Sequence, residues 1–242
     1  MIYNNRYKYI LFLVILLSIV LKSRIAFANE LPIYSVNTKE RVCAVTFDAA
    51  WGASDVDALI QLLDEYGVKA TFFVCGYWVE KYPQEVKKLF EAGHDIANHG
   101  DTHAHVASLN YEQNKKEIYD AHIKVKELLG IDMDLYRSPY GEYNDIVLSS
   151  AAELGYFTIQ WDVDSLDWKK PGAKDILNNV VNNKNLKNGS ILLFHNDLSQ
   201  TLEALPEIFS NLTQKGYNFV PVSQLIYRES YKIDHTGRQI ED

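Results

Sequence analysis

The feature that most limits the fold of this chain is a repeated alternation: short apolar, β-rich runs, each followed by a helical pattern that stops at a glycine. Val42–Phe47 is such a run. Asp55–Tyr66 then places Val56, Leu59, Ile60, Leu62 and Leu63 at helical spacing ahead of Gly67. Ala70–Cys75 predicts a second strand ended by Gly76, Pro83–Ala92 a helix with Gly93 just past it, and Asp95–Asn98 a third strand. Tyr111–Leu129 is a long amphipathic helix closed by Gly130. Leu135–Tyr136, Phe157–Trp161, Ser190–Phe194 and Phe219–Val222 continue the strands, and Asp145–Leu154, Ala173–Val181 and Leu202–Lys215 the helices. Strands that alternate with helices across short connections run parallel and are covered by those helices. About seven strands in a single α/β domain point to a barrel in preference to an open sheet.

The ends of the chain read differently from its middle. Arg6 and Lys8 begin it, Ile10 to Leu21 is unbroken apolar sequence, and Ala26-Phe27-Ala28 gives a small-x-small cleavage pattern with Asn29 as the first mature residue. The apolar run is shorter than the roughly 17 residues a membrane span requires. Residues 1–28 are therefore expected to be a signal peptide or, because Lys22 and Arg24 follow the run, an N-terminal membrane anchor. Either places the folded part outside the cytoplasm, secreted or anchored at the cell surface. Residues 229–242 form a polar, charged tail, expected either to pack on the domain or to be loose.

The net charge of −8, with no cluster of Lys and Arg, excludes nucleic acid as the main partner. Most of the 16 Tyr, 10 Phe and 4 Trp are expected in a large core, with others free to serve as platforms for sugar rings. The two cysteines, Cys43 and Cys75, fall at opposite ends of their predicted strands. Parallel neighbours would hold the thiols too far apart to bridge, so both are expected buried and free.

Five polar clusters fall at the C-terminal ends of predicted strands: Asp48, His99 to His103, Arg137 to Gly141, Asp164 to Trp168, and His195. Loops at that end of a β/α barrel converge on one site. His99 and His103 are four residues apart, a spacing that on one helical turn puts both imidazoles on one face, as in a metal pair. The H-E-x-x-H pattern is not met, because Gly100 follows the first histidine, and His103 could equally share a strand face with His105. Asp48 is placed to be a helix N-cap or a general base. Arg137 is placed to pair with a carboxylate or to brace its turn. Asp164 and Asp167 each offer a carboxylate that could fix a histidine tautomer and raise its pKa.

Taken in order, Thr46-Phe47-Asp48, His99-x-x-x-His103, Arg137-x-Pro139-Tyr140-Gly141, Asp164-x-x-Asp167-Trp168 and Leu193-Phe194-His195 resemble the five motifs of the polysaccharide deacetylases with a NodB homology domain, carbohydrate esterase family 4. The resemblance spans residues 38–228 and implies a distorted (β/α)7 barrel that removes acetyl groups, mainly N-acetyl, from peptidoglycan, chitin or similar polymers. It implies that Asp48 is the general base, that Arg137 holds the base, and that His99 and His103 bind a divalent metal, Zn2+ in the first instance, with Co2+ or Ni2+ as others. It also implies that the Tyr140 N–H helps hold the oxyanion, that Asp164 tunes the general acid His195, and that Trp168 and Leu193 line the acetyl pocket. An N-acetylated polysaccharide is then the partner, and a monomer is expected.

Two positions depart from the pattern. Where the family has Asp-Asp-Gly, this chain has Asp48-Ala49-Ala50-Trp51-Gly52, so the carboxylate that would be the third metal ligand is missing; Gly100 stands where Thr or Ser follows the first histidine. Asp48 itself, Asp101, Asp55 or water could complete the shell. The Trp-Gly variant is similar to the sporulation-associated subgroup. A second reading is a weak or inactive barrel that binds glycan without hydrolysing it. A metal phosphoesterase would need more carboxylate ligands and more basic residues than the chain supplies.

Overall fold

The computed structural model describes residues 31–242, so the expected signal or anchor, residues 1–28, lies outside the described residues. Among the described residues no helix is long and apolar enough to cross a membrane.

A run of parallel strands forms the centre of the fold: β2 (Val42–Ala49), β3 (Thr71–Val74), β4 (Asp95–Asn98), β5 (Leu135–Tyr136), β6 (Phe157–Thr158) and β8 (Ser190–His195), in the spatial order β8-β2-β3-β4-β5-β6. The segment that begins with β6 changes partner. β6 pairs with β5, while β7 (Val163–Asp164), a few residues on, pairs with β8. One stretch of chain thus joins both ends of the run, and the sheet curls into the expected α/β barrel. This is why the single strand predicted over Phe157–Trp161 is two short ones. β1 (Ser35–Val36) closes the other side: it pairs antiparallel with β8, and Ile33 just before it bridges to Ile159.

Outside the barrel lie α1 (Val56–Glu65), α2 (Gly76–Lys81), α3 (Pro83–Glu91), α4 (Tyr111–Leu129), α5 (Asp145–Glu153), α6 (Ala173–Val181), α7 (Ser199–Gln214) and the short α8 (Val222–Leu225). α4 has both of its ends set by sequence. Asn110 and Gln113 form a reciprocal capping box, and Gly130 takes the left-handed conformation at φ 73°. The last predicted strand, Phe219–Val222, is replaced by the two-residue β9 (Asn218–Phe219) and α8, because Pro221 starts a helical turn. α2 begins at Gly76, where the sequence pattern predicts only a stop to the strand. The residue is glycine for another reason: a Cβ there would lie 1.9 Å from Asp101 Oδ1, and the Gly76 N–H donates to the Gly100 carbonyl at 2.9 Å.

The polar tail is part of the sheet. β10 (Tyr231–Ile233) and β11 (Arg238–Glu241) form a hairpin, and β11 runs parallel to β1. Its Gln239 is fully buried and exchanges two hydrogen bonds with the Tyr227 backbone. Cys43 and Cys75 are buried and free, as expected.

Strand parity decides what enters the barrel. Along β2, Cys43, Val45 and Phe47 join the core beneath the helices, while Val42 and Ala44 join the smaller core inside the barrel. Thr46 and Asp48 share the parity of the inner set. On β8, Leu192 and Phe194 face the helices and Ile191 the interior, so Leu193 and His195 belong to the inner face. A carboxylate and an imidazole thereby reach the same end of the barrel on adjacent strands, in register with one another.

Candidate active site

Asp48 is buried at 5% exposure, and its Oδ1 accepts from Arg137 Nη1 at 2.7 Å. Arg137 is itself fully buried inside the barrel. Its guanidinium lies 4.0 Å from the centroid of the Phe73 ring and donates further to Thr46 Oγ1 at 2.9 Å and to the Gln160 carbonyl at 3.1 Å. Burial alone would raise the Asp48 pKa. The charge of Arg137, with those of His99 and His195, outweighs it and holds the carboxyl below the usual range. Asp48 is therefore a carboxylate at neutral pH, oriented by one oxygen and with the other free. That Oδ2 lies 3.6 Å from His99 Nε2.

His195 is held by Asp167. Oδ1 of Asp167 lies 2.7 Å from His195 Nδ1, and its Oδ2 accepts the His195 backbone N–H at 2.8 Å and the Thr201 hydroxyl at 2.9 Å. Nδ1 is thus the protonated nitrogen, and Nε2 is the one free to act. Burial would lower the His195 pKa, but the hydrogen bond and charge of Asp167, with Asp48 and Asp164, raise it. Asp164, the residue expected to tune His195, does not bond to its ring. Its Oδ1 is taken by the Leu166 N–H at 2.8 Å, a turn that carries Leu166 into the left-handed region at φ 57°. The loop then makes a short 3₁₀ turn over Asp167–Lys169, which aims Asp167 at the end of β8. Asp164 acts on His195 through its charge alone.

His99 follows the last residue of β4. Its Nδ1 donates to the Arg137 carbonyl at 2.8 Å, the arrangement that fixes a metal-ligating histidine with Nε2 outward. His103 reaches the same place by a different route from the helical turn its spacing suggested. Residues 99–105 are a loop, and His103 takes φ 59°. The two imidazole centroids are 5.2 Å apart. Glu117 on α4 clamps this loop, accepting from the Asp101 and Thr102 N–H groups at 3.1 and 2.9 Å and from the Thr102 hydroxyl at 2.9 Å. Burial lowers the pKa of both histidines, that of His103 to about 4, so both present neutral lone pairs at pH 7. His105 stands apart: it is exposed, bonded to Glu142 at 2.7 Å and stacked on Tyr140.

A third donor stands beside the two histidines. Donor atoms of Cys75, His99 and His103 all lie within 4.8 Å of one another. Two of the carboxylates the sequence offered are engaged elsewhere, Asp101 with Lys124 at 2.6 Å and Asp55 with the Asp197 N–H at 2.6 Å. Ala49, where the missing ligand would be, pairs with Val74, and Cys75 is the next residue. In the sequence Cys75 is an ordinary strand residue; only the pairing of β3 with β4 sets it beside His99.

Asp48, His99, His103, Asp164 and His195 line a cavity of about 820 Å3, and Cys75 is buried behind its wall. Leu193 lies on its wall, buried, and Trp168 at its rim, half exposed. Tyr140 also lines it, in the left-handed region at φ 60° and set edge-on to His103 at 4.6 Å. Gly141 next to it has φ +67°, and a Cβ there would stand 2.8 Å from the Trp161 ring. Trp51, in the stretch that departs from the family pattern, is 56% exposed, with its ring 5.3 Å from that of His103 and 6.3 Å from that of His195. The arrangement joins a carboxylate held below its usual pKa, an imidazole held above its own and two neutral imidazoles in one aromatic-rimmed cleft.

Comparison with known proteins agrees with this chemistry. The polysaccharide deacetylase family profile matches residues 35–159. A peptidoglycan-N-acetylglucosamine deacetylase of Bacillus cereus is 37% identical over 198 residues, which cover 80% of this chain and 92% of that protein. A crystal structure of a peptidoglycan N-acetylglucosamine deacetylase, in complex with an N-oxidanyl-benzamide, superposes with a TM-score of 0.76 at 32% identity, over 80% of this chain and 92% of the other. A family-4 carbohydrate esterase pseudoenzyme from Bacillus anthracis superposes with a TM-score of 0.78 at 25% identity, over 88% and 74%. The chain belongs to the polysaccharide deacetylase family, hydrolases that act on the amide bonds of acetylated polysaccharides.

Proposed function

We propose that this chain is an exported, metal-dependent deacetylase that removes N-acetyl groups from cell-wall peptidoglycan. The observation that carries the reading is the rung Asp48–His195: a carboxylate held below its usual pKa faces an imidazole held above its own, on neighbouring strands. Paired groups with pKa values pushed apart are what acid–base hydrolysis requires. The similarity to peptidoglycan deacetylases supports the polymer, and the N-terminal segment supports export.

The donor set fits a divalent ion. His99 and His103 would hold it, since both imidazoles are neutral and His99 is already oriented through Nδ1. Imidazole ligands suit Zn2+, and Co2+ or Ni2+ after it. When bound, the ion supplies Lewis acidity toward water and the acetyl carbonyl. The protein's own groups do the rest. Asp48, oriented by Arg137, takes the proton of the attacking water. The Tyr140 N–H donates to the developing oxyanion. His195, its Nδ1 fixed by Asp167, delivers a proton from Nε2 to the leaving amine. Leu193 and Trp168 enclose the acetyl methyl, and Trp51 offers a sugar face a flat surface at the mouth. The products are a free amino sugar and acetate.

Ala49 and the pseudoenzyme relative favour a second reading, a barrel that binds glycan without cleaving it. Acetate release from peptidoglycan and from N-acetylated chitooligosaccharide separates the two. Release that Asp48→Asn and His99→Ala each abolish supports the deacetylase. Retained glycan binding with no acetate from either polymer, at saturating Zn2+, supports the binder.

A further inference from the structure

We infer that Cys75 is the third metal ligand, its thiolate taking the place of the carboxylate that Ala49 removes. The inference rests on the reading of His99 and His103 as metal ligands. Its own support is geometric. Among the described residues, Cys75, His99 and His103 are the group of three such side chains whose donor atoms converge to within 4.8 Å. Two come from the ends of adjacent parallel strands: Val74 pairs with Asn98, and the residues that follow each are Cys75 and His99. The Cys75 Sγ already lies against the His99 backbone, donating to its carbonyl at 3.4 Å. The third donor, His103, arrives on the loop that Glu117 clamps and that Gly76, the neighbour of Cys75, allows to pack closely.

Chemistry agrees with position. Two imidazoles bring no charge to a divalent ion, and a thiolate brings one negative charge, as the absent aspartate would. On binding, the S–H bond breaks, an S–metal bond forms, and one proton passes to solvent. Three protein ligands drawn from His and Cys, with a fourth position left for water or substrate, is the ligand pattern of catalytic zinc sites. It favours Zn2+ and Co2+ and disfavours Mg2+, Ca2+ and Mn2+, which prefer oxygen ligands. The site of this chain is therefore more thiophilic than one built with Asp.

Cobalt tests this without recourse to activity. The purified protein, stripped of metal, is titrated with Co2+ and its visible and near-ultraviolet spectra are followed, with Cys75→Ser, Cys75→Asp, Cys43→Ser and His99→Ala beside it. The expected result is a thiolate-to-cobalt charge-transfer band in the near ultraviolet that saturates at one ion per chain. The band should persist in Cys43→Ser and vanish in both Cys75 variants, with Cys75→Asp still showing the visible cobalt bands. Cobalt affinity should fall by more than about tenfold in Cys75→Ser, since loss of groups that only support a ligand already costs that much. If Cys75→Ser does not fold, the wild-type spectrum and Cys75→Asp decide. Visible bands lost in His99→Ala, with no charge-transfer band in the wild type, would overturn the Cys75 assignment and leave the histidine pair standing. No cobalt binding at all would overturn both.

Discussion

Asp167 meets His195 twice, its Oδ1 at 2.7 Å from the ring Nδ1 and its Oδ2 at 2.8 Å from the backbone nitrogen of the same residue. One buried carboxylate therefore sets where the imidazole lies, which tautomer it adopts and how tightly it keeps its proton. Asp167→Asn should lower kcat by about 10²–10⁴, the range of general acid catalysis. The sign of the pH effect follows from the raised His195 pKa. The wild-type histidine stays protonated above the ordinary value of about 6.5, so the alkaline limb of the rate profile lies above that pH. In Asp167→Asn the limb should move down. The ion pair stabilises the fold below about pH 6.5 and is lost as pH rises through the folded-state pKa. Asp164→Asn, which removes only a neighbouring charge, should shift the limb less, and a larger shift than that of Asp167→Asn would contradict the assignment.

Asp48 and Arg137 are a buried ion pair, and breaking it should be felt in stability as well as rate. Arg137→Ala leaves a carboxylate uncompensated inside the barrel and should destabilise the protein by about 3–5 kcal/mol in chemical denaturation. Asp48→Asn should abolish acetate release. It should also flatten the acid limb of stability. Because the folded-state Asp48 pKa is lowered, its contribution is complete above about pH 3.9 and is lost as pH falls through that lower value. The variant has no such contribution to lose.

Glu117 touches no reacting group, yet three hydrogen bonds tie it to the loop that delivers His103. Glu117→Ala should weaken metal affinity by about 10–100-fold, the usual cost of losing an outer support. Competition with a chromogenic chelator would measure it. Once metal is saturating, kcat should be largely restored, as expected of a positioning residue.

Chelation should lower thermal stability. With metal present at about 100 times its dissociation constant, binding contributes roughly 2.7 kcal/mol. For a domain of this size that corresponds to a Tm shift of about 5–11 °C. Calorimetry with and without chelator should show the shift, and His103→Ala should show none.

Trp51→Ala should change binding more than chemistry. The ring is exposed, so the fold should be unaffected. Loss of an aromatic surface worth about 0.5–1.5 kcal/mol would raise KM roughly 2–13-fold with little change in kcat. Steady-state kinetics on soluble N-acetylated oligosaccharides would test it.

Much of this site was legible before the structure. Hydrophobic period gave the strands and helices, and five polar clusters at strand ends gave the barrel face. What escaped depended on geometry the linear order does not carry. Asp164 and Asp167 are equivalent by composition, and only the left-handed turn at Leu166 chooses between them. His99 and His103 look like a helical pair but are brought together by a loop. Cys75 read as a core thiol because its partners come from the neighbouring strand, 24 residues away. Whether the tail packs or is loose was open in the sequence, because a short hairpin with one buried glutamine has no apolar stripe to announce it.

The rung shared by β2 and β8 has a consequence for how such a site can change over time. Asp48 and His195 are spaced by the hydrogen-bond ladder itself, about 4.8 Å between strands, so no insertion in a loop can pull acid and base apart. The proposed metal donors Cys75 and His99 follow the last paired residues of their strands, Val74 and Asn98, and the proposed donor His103 lies on the loop beyond β4. On the proposed assignments the proton-transfer groups are part of the scaffold, while Cys75, His99 and His103 lie outside it. A ligand carboxylate absent at Ala49 and a proposed thiol ligand at Cys75, just past the next strand, then leave the Asp48–His195 rung unchanged.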